Sequence, residues 1–200
     1  MAIHTEFDLE KHADMLKEVA NIGTGNALSA LSQLLGKKLR MDVPVANLVE
    51  FKDVANFIGG PDKLVVGVLV TMSGDLKGMM MFLVKQDSAH VLIRILLGQA
   101  TESNTLTDME ASTLTEVGNI LVASYLNSLA AMMNKTISLS LPSLAADMAN
   151  SILSVPAIEF GKIADKALFI ESVFQAVDEN VSGYFIFVPD MPSFDAMFKG

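Results

Sequence analysis

Asp14-Met-Leu-Lys-Glu18-Val-Ala-Asn21, separated by 22 residues from Pro44, returns as Ser112-Thr-Leu-Thr-Glu116-Val-Gly-Asn119, separated by 22 residues from Pro142. Glu18 and Glu116, Asn21 and Asn119, and Pro44 and Pro142 each stand 98 positions apart. A single Glu-x-x-Asn carries no information. Two copies in register with a proline imply an internal duplication, and the duplication bounds both the architecture and the site.

Working outward from the first copy, Leu16, Val19 and Ile22 form an apolar arc at helical spacing, so 8–35 reads as a helix capped by Gly36. Gly23 and Gly25 interrupt it, and the arc beyond them (Leu28, Leu31, Leu35) is rotated, which predicts a kink. Residues 38–45 alternate like a strand, and 48–58 read as a short helix ended by Gly59-Gly60-Pro61. Strands at 64–71 and 76–84 meet in a hairpin about Ser73-Gly74-Asp75, and a helix over 87–97 stops at Gly98.

In the second copy Thr107-Asp-Met-Glu110 is a capping box that opens a helix running to about Asn134. A strand into Pro142, a short helix near 145–152, strands at 166–175 and 181–188 and a helix from Ser193 follow. Gly78 with Gly183 and Ser88 with Ser193 align at an offset of 105, so the second copy holds about seven extra residues. Merging the strands of both copies gives an α+β fold. Its sheet is largely antiparallel or mixed, and the two long motif-bearing helices cover it with pseudo-two-fold symmetry. Residues 1–200 then make one domain of two repeats, about 8–98 and 107–200, joined by a polar linker at about 99–106.

Composition excludes several classes. A 51% hydrophobic chain of 200 residues is ample for one packed core. Its apolar runs, such as 64–72 and 79–84, fall short of the roughly 18 residues that span a bilayer. The acidic start has no signal-peptide core, and cysteine is absent, so a cytoplasmic protein without membrane insertion is expected. A net charge of −9 argues against nucleic acid as a partner. Residues 1–99 carry 10 basic and 11 acidic side chains and residues 100–200 carry 4 and 12, so the two halves present different fields.

Positions i, i+4, i+7 and i+11 share one helix face. They are Asp14, Glu18, Asn21 and Gly25 in one copy and Ser112, Glu116, Asn119 and Ala123 in the other. The buried arc passes to one side, through Val19 and Ile22 or Val117 and Ile120, which turns each Glu/Asn pair outward beside a small residue. A solvated face explains Glu well but not Asn, a poor helix former, at the same mid-helix place twice. Chelation by Asp14 and Glu18 is undercut by Ser112 in the second copy, and His4, His12 and His90 have no ligand spacing, so no intrinsic metal or cofactor is expected. Neither motif has a neighbouring nucleophile and histidine.

What remains is an amide that can accept a hydrogen bond from water and orient it, and a carboxylate suited to pairing with a partner's lysine. An exposed carboxylate is a weak general base near pH 7. Placing one water lowers a barrier by about 1.4–3 kcal/mol, roughly 10- to 100-fold in rate. That suits a labile substrate with its own metal, such as the aspartyl phosphate of a response regulator.

Across nearly its whole length the chain resembles the CheC phosphatases of bacterial and archaeal chemotaxis. The resemblance is carried by Glu18-Val-Ala-Asn21-Ile-Gly-Thr-Gly-Asn-Ala-Leu-Ser-Ala-Leu31, Glu116-Val-Gly-Asn119-Ile and Leu141-Pro142-Ser-Leu-Ala-Ala-Asp147-Met-Ala149. It implies a CheC-like fold and hydrolysis of the phosphoryl group on phosphorylated CheY. Glu18 and Glu116 would dock a CheY lysine, Asn21 and Asn119 would orient the water, and Mg2+ would belong to CheY. The resemblance also implies binding of the receptor deamidase CheD, for which the short helix around Asp147 is the expected face. A CheX-like phosphatase typically has one motif, and a flagellar switch protein of the same fold would carry further domains. A non-catalytic adaptor that sequesters CheD is the alternative of a different class. The duplication already supplies two-fold symmetry, so a monomer is expected.

Overall fold

The structure is a computed structural model that describes residues 3–36, 38–42, 44–98, 105–175 and 180–198, with the side chains of all but 3–13 and 198. The elements in chain order are α1 (Ile3–Leu35), β1 (Arg40–Met41), β2 (Val45–Glu50), a 3-10 turn (Phe51–Asp53), α2 (Val54–Ile58), β3 (Leu64–Gly74), β4 (Gly78–Lys85) and α3 (Gln86–Leu97). The second half continues with α4 (Asp108–Met132), β5 (Ile137–Leu139), β6 (Ser143–Met148), α5 (Ala149–Phe160), β7 (Lys166–Gln175), β8 (Asn180–Pro189) and α6 (Met191–Phe198). Of the expected linker, residues 99–104 lie outside the described ones.

Among the described residues eight strands form one sheet in the order β1-β7-β8-β4-β3-β5, with β2 also on β7 and β6 also on β3. Every pairing is antiparallel. The central strands are apolar without a break because helices cover both faces. On β4, Met80, Phe82 and Val84 enter one core while Met79, Met81 and Leu83 enter the other. On β8, Phe185 and Phe187 face the first core, and Tyr184, Ile186 and Val188 the second. This is the period-two alternation of a strand with both sides buried. The first core receives α1, α3 and α4, and the second receives α2 and α5. The two motif helices therefore cover one face only, and the short helices that follow β2 and β6 cover the other.

The repeated prolines mark a matched feature of the two edge strands. Between the Met41–Phe174 and Val45–Glu171 pairs the register steps by one residue, and it does so again between Leu139–Met72 and Ser143–Leu69. Each step is a bulge that carries its proline on an edge, where no ladder donor is lost. Before the prolines, Asp42 N–H donates to Val173 O at 3.0 Å and Ser140 N–H to Thr71 O at 2.9 Å.

Two expected helices are strands over part of their length. The segment expected as a helix over 48–58 stays extended to Glu50, and helix proper begins at Val54. The segment expected as a helix over 145–152 is strand to Met148, and α5 starts at Ala149. Leu, Ala and Met favour helix locally, but six residues of each edge pair with β7 or β3, and that pairing wins. The extra length of the second copy is largely α5, with 12 residues against 5 in α2. The final helix begins at Met191 rather than Ser193.

Helix ends follow the sequence signals. Thr107 and Glu110 form the full capping box, with Thr107 N–H donating to Glu110 Oε2 at 2.8 Å and Glu110 N–H to Thr107 Oγ1 at 3.3 Å. Gly36, Gly59 and Gly98 take the positive φ that closes a helix.

Neither glycine ends α1, which is one helix through both. Gly23 is instead the point where α1 meets α4. A Cβ built there would lie 2.6 Å from Tyr125 Cδ1 and 3.1 Å from Tyr125 Cα, whereas a Cβ at Gly25 would have no neighbour within 4 Å. Chemical unfolding should therefore separate two glycines only two residues apart. Gly23→Ala should lose about 1–3 kcal/mol by overpacking despite the better helix former. Gly25→Ala should gain roughly 0.5–1 kcal/mol. A stabilised Gly23→Ala would contradict this packing.

Candidate functional site

The motif residues stand on the outer faces of α1 and α4. In the first copy Leu16, Val19, Ala20, Gly23 and Thr24 turn inward, and Asp14, Glu18, Asn21 and Gly25 are exposed. In the second copy Leu114, Val117, Gly118, Leu121 and Val122 turn inward, and Ser112 and Glu116 are exposed. The two copies are not equivalent, because Asn119 and Ala123 are half-buried, not exposed as expected. Ile22, expected in the buried arc, is 39% exposed and lies one turn on from Glu18.

Among the described residues no hydrogen bond or ion pair engages the side chains of Glu18, Asn21, Glu116 or Asn119. Each pair thus offers a free carboxylate and, three residues on, a free amide. The neighbouring charges differ. Asp14 lies 3.8 Å from Lys17, an exposed pair that contributes little stability. The equivalent positions hold Ser112 and Thr115, and the Thr115 hydroxyl donates back to Ala111 O at 2.7 Å. The first face is therefore zwitterionic, and the second has its glutamate as sole charge among these positions.

Backing these faces is a buried polar group that sequence reading missed. Thr24, Tyr125 and Ser172 are all buried, at 7%, 1% and 1% exposure. Thr24 Oγ1 donates to Ala20 O at 2.7 Å and lies 2.7 Å from Tyr125 OH, which is 3.4 Å from Ser172 Oγ. Burial raises the Tyr125 phenol above its ordinary value against the lowering effect of its bonds to Ser172 and Thr24, so it is held as a neutral hydroxyl. A lone tyrosine in the inward arc of α4 was the available signal. In the second motif Gly118 lets α4 settle on the sheet, since a Cβ there would lie 2.5 Å from Val68 Cγ2.

No group of three or more His, Asp or Glu side chains among the described residues could hold a metal ion, and no described helix is long and apolar enough to cross a membrane. The side chains of His4 and His12 lie outside the described residues. A cleft of about 540 Å³ is lined by Lys63, Leu64, Gln86, Asp87 and His90, none of them a motif residue. There the Lys63 ammonium, 2.8 Å away, holds the Asp87 carboxyl below the usual carboxylate range. The motif pairs sit on open helix faces instead, which suits docking of a protein rather than enclosure of a small molecule.

Asp147 is exposed, but it belongs to the edge strand β6, opposite Val65, and not to a short helix as expected. Its Oδ1 accepts the Met148 N–H at 2.7 Å, at the entry to α5.

Comparison with known proteins places this arrangement. Residues 12–48 and 109–144, which hold the two motifs and their prolines, match the model of the CheC-like family. The protein named CheY-P phosphatase CheC from Bacillus subtilis (strain 168) is 34% identical over 194 residues, covering 94% of this chain and 93% of that one. Among solved structures, Thermotoga maritima FliY shares the fold with a TM-score of 0.70 at 21% identity, covering 94% of each chain. The FliM middle domain from H. pylori shares it at 0.61 and 10% identity, covering 94% of this chain and 97% of that one. With both Glu/Asn faces inside the matched segments and a relative this similar from end to end, the chain belongs to the CheC-like family.

Proposed function

We propose that this chain is a phosphatase of phosphorylated CheY with two active sites, Glu18/Asn21 on α1 and Glu116/Asn119 on α4. The observation that carries this reading is the doubled, unpartnered Glu/Asn pair on helix faces of a CheC-like fold. The Bacillus subtilis relative, 34% identical, bears the name of that activity. In each site the asparagine amide holds a water in line with the phosphorus of the aspartyl phosphate, and the glutamate pairs with a CheY lysine. Mg2+ and the remaining acid groups come with CheY, so this chain supplies geometry and one oriented nucleophile. The protein is expected to act as a cytoplasmic monomer, since the duplicated fold already presents both sites.

CheD is the second proposed partner, docking at the exposed edge around Asp147. The position supports this: β6 pairs on one side only among the described residues, and α5 begins immediately after it. Asp147→Asn keeps an acceptor for the Met148 N–H while removing the charge. It should weaken CheD binding and flatten its salt dependence without changing CheY-P hydrolysis. Unchanged binding in a titration at low salt would remove Asp147 from the interface.

For catalysis, Asn21→Ala combined with Asn119→Ala should reduce CheY-P decay to the spontaneous rate while the melting transition stays near wild type. Wild-type decay in that variant would defeat water orientation, and no acceleration by the unaltered protein, with or without CheD, would leave the adaptor reading. Glu18→Gln with Glu116→Gln should instead raise KM several-fold, by about 1 kcal/mol of lost docking per site, with kcat nearly kept. A fall in kcat at unchanged KM would show that the carboxylates act in the chemical step.

A further inference from the structure

We propose that Thr24, Tyr125 and Ser172 are positioning residues that orient Asn21, so that the first site depends on them and the second does not. The inference rests on the reading of Asn21 and Asn119 as water-orienting amides.

The argument comes from counting protons. Each hydroxyl has one hydrogen to give. Thr24 Oγ1 spends its hydrogen on Ala20 O at 2.7 Å. The 2.7 Å contact with Tyr125 must then have the phenol donating to Thr24 Oγ1. Tyr125 OH is left to accept, which matches Ser172 Oγ at 3.4 Å. The three bonds run one way, from the sheet through α4 to the carbonyl of Ala20, the residue covalently joined to Asn21. A threonine that donates to its i−4 carbonyl also bends a helix locally, and here the turn it closes contains Asn21. Gly23 beneath the Tyr125 ring brings the two helices close enough for the phenol to reach Thr24.

Among the described residues the second site has no such chain between helices. The position equivalent to Thr24, 98 residues on, is Val122, and the position equivalent to Tyr125, 98 residues back, is Ala27. Both are buried at 0% exposure and neither can donate a hydrogen bond. Beside Asn119, Ser124 Oγ donates to Ile120 O at 2.8 Å within α4 itself, and Gly118 packs against Val68. A back-bond within α4 shapes only its own helix, whereas the Tyr125–Thr24 bond ties the turn that carries Asn21 to the facing helix.

The test measures CheY-P hydrolysis one site at a time. In an Asn119→Ala background only the first site works, and there Tyr125→Phe and Thr24→Val should each lower kcat roughly tenfold with KM little changed. Thr24→Ser should restore it. In an Asn21→Ala background the same substitutions should leave kcat within about twofold. Melting curves of every variant accompany the rates, because general loosening would depress both backgrounds together. Equal losses in the two backgrounds, no loss in either, or a first site without activity of its own would overturn the positioning role. Wild-type decay by the Asn21→Ala, Asn119→Ala protein is a different result, and it would sink the water-orienting reading itself.

Discussion

Two motif helices of 33 and 25 residues lie against each other on one face of the sheet, and their contact at Gly23 sets the rest. Without a side chain at 23, the Tyr125 ring rests on the α1 backbone and packs against Phe185 of the central strand, 4.5 Å between ring centroids. A larger residue would push the helices apart and draw Tyr125 OH away from Thr24. Because the inward arcs of both helices are pinned in this way, their outward faces are held in fixed orientation, and those faces carry the two Glu/Asn pairs. Hydrophobic burial provides the bulk of the stability, but this one close approach fixes the angle at which the motifs are shown to a partner.

The chemistry asked of each face is small. A carboxylate and an amide with no internal partners cannot activate a nucleophile strongly, and under the proposed mechanism they would not need to, because the substrate would bring metal and acid groups of its own. Leaving polar side chains unpartnered costs little on an exposed helix, since water satisfies them until a partner docks. The two Glu/Asn pairs stand on different surroundings. The first is exposed, beside Asp14, Lys17 and Ile22, and the second is half-buried at its asparagine, with Ser112 and Thr115 in place of the charged neighbours.

Much of this was legible before the structure because the signals are local. The Thr107–Glu110 box, the glycine stops at 36, 59 and 98, the hairpin strands and the outward positions of Glu18, Asn21 and Glu116 follow from spacing and backbone preference alone. The misreadings fall where a distant partner decides. Residues 145–148 favour helix by composition and become strand only because β3 offers its edge. The packing role of Gly23 was not readable because its partner, Tyr125, is 102 positions away in sequence. Pro44 and Pro142 announced the repeat, but their role in matched edge bulges depends on the register against β7 and β3. Ile22 sits near the border of the inward arc, where periodicity does not distinguish a covered side chain from one left at the rim.

The central claim is that one chain carries two working sites of the same kind. The most direct measurement is the rate of phosphate release from CheY-P by the Asn21→Ala protein and by the Asn119→Ala protein, each beside the unaltered chain at equal concentration. Two independent sites predict that both single variants retain activity and that their rates above the spontaneous background sum to that of the unaltered protein. If one variant loses all of its activity while the other loses none, only one Glu/Asn pair is catalytic and the account of a doubled active site is wrong.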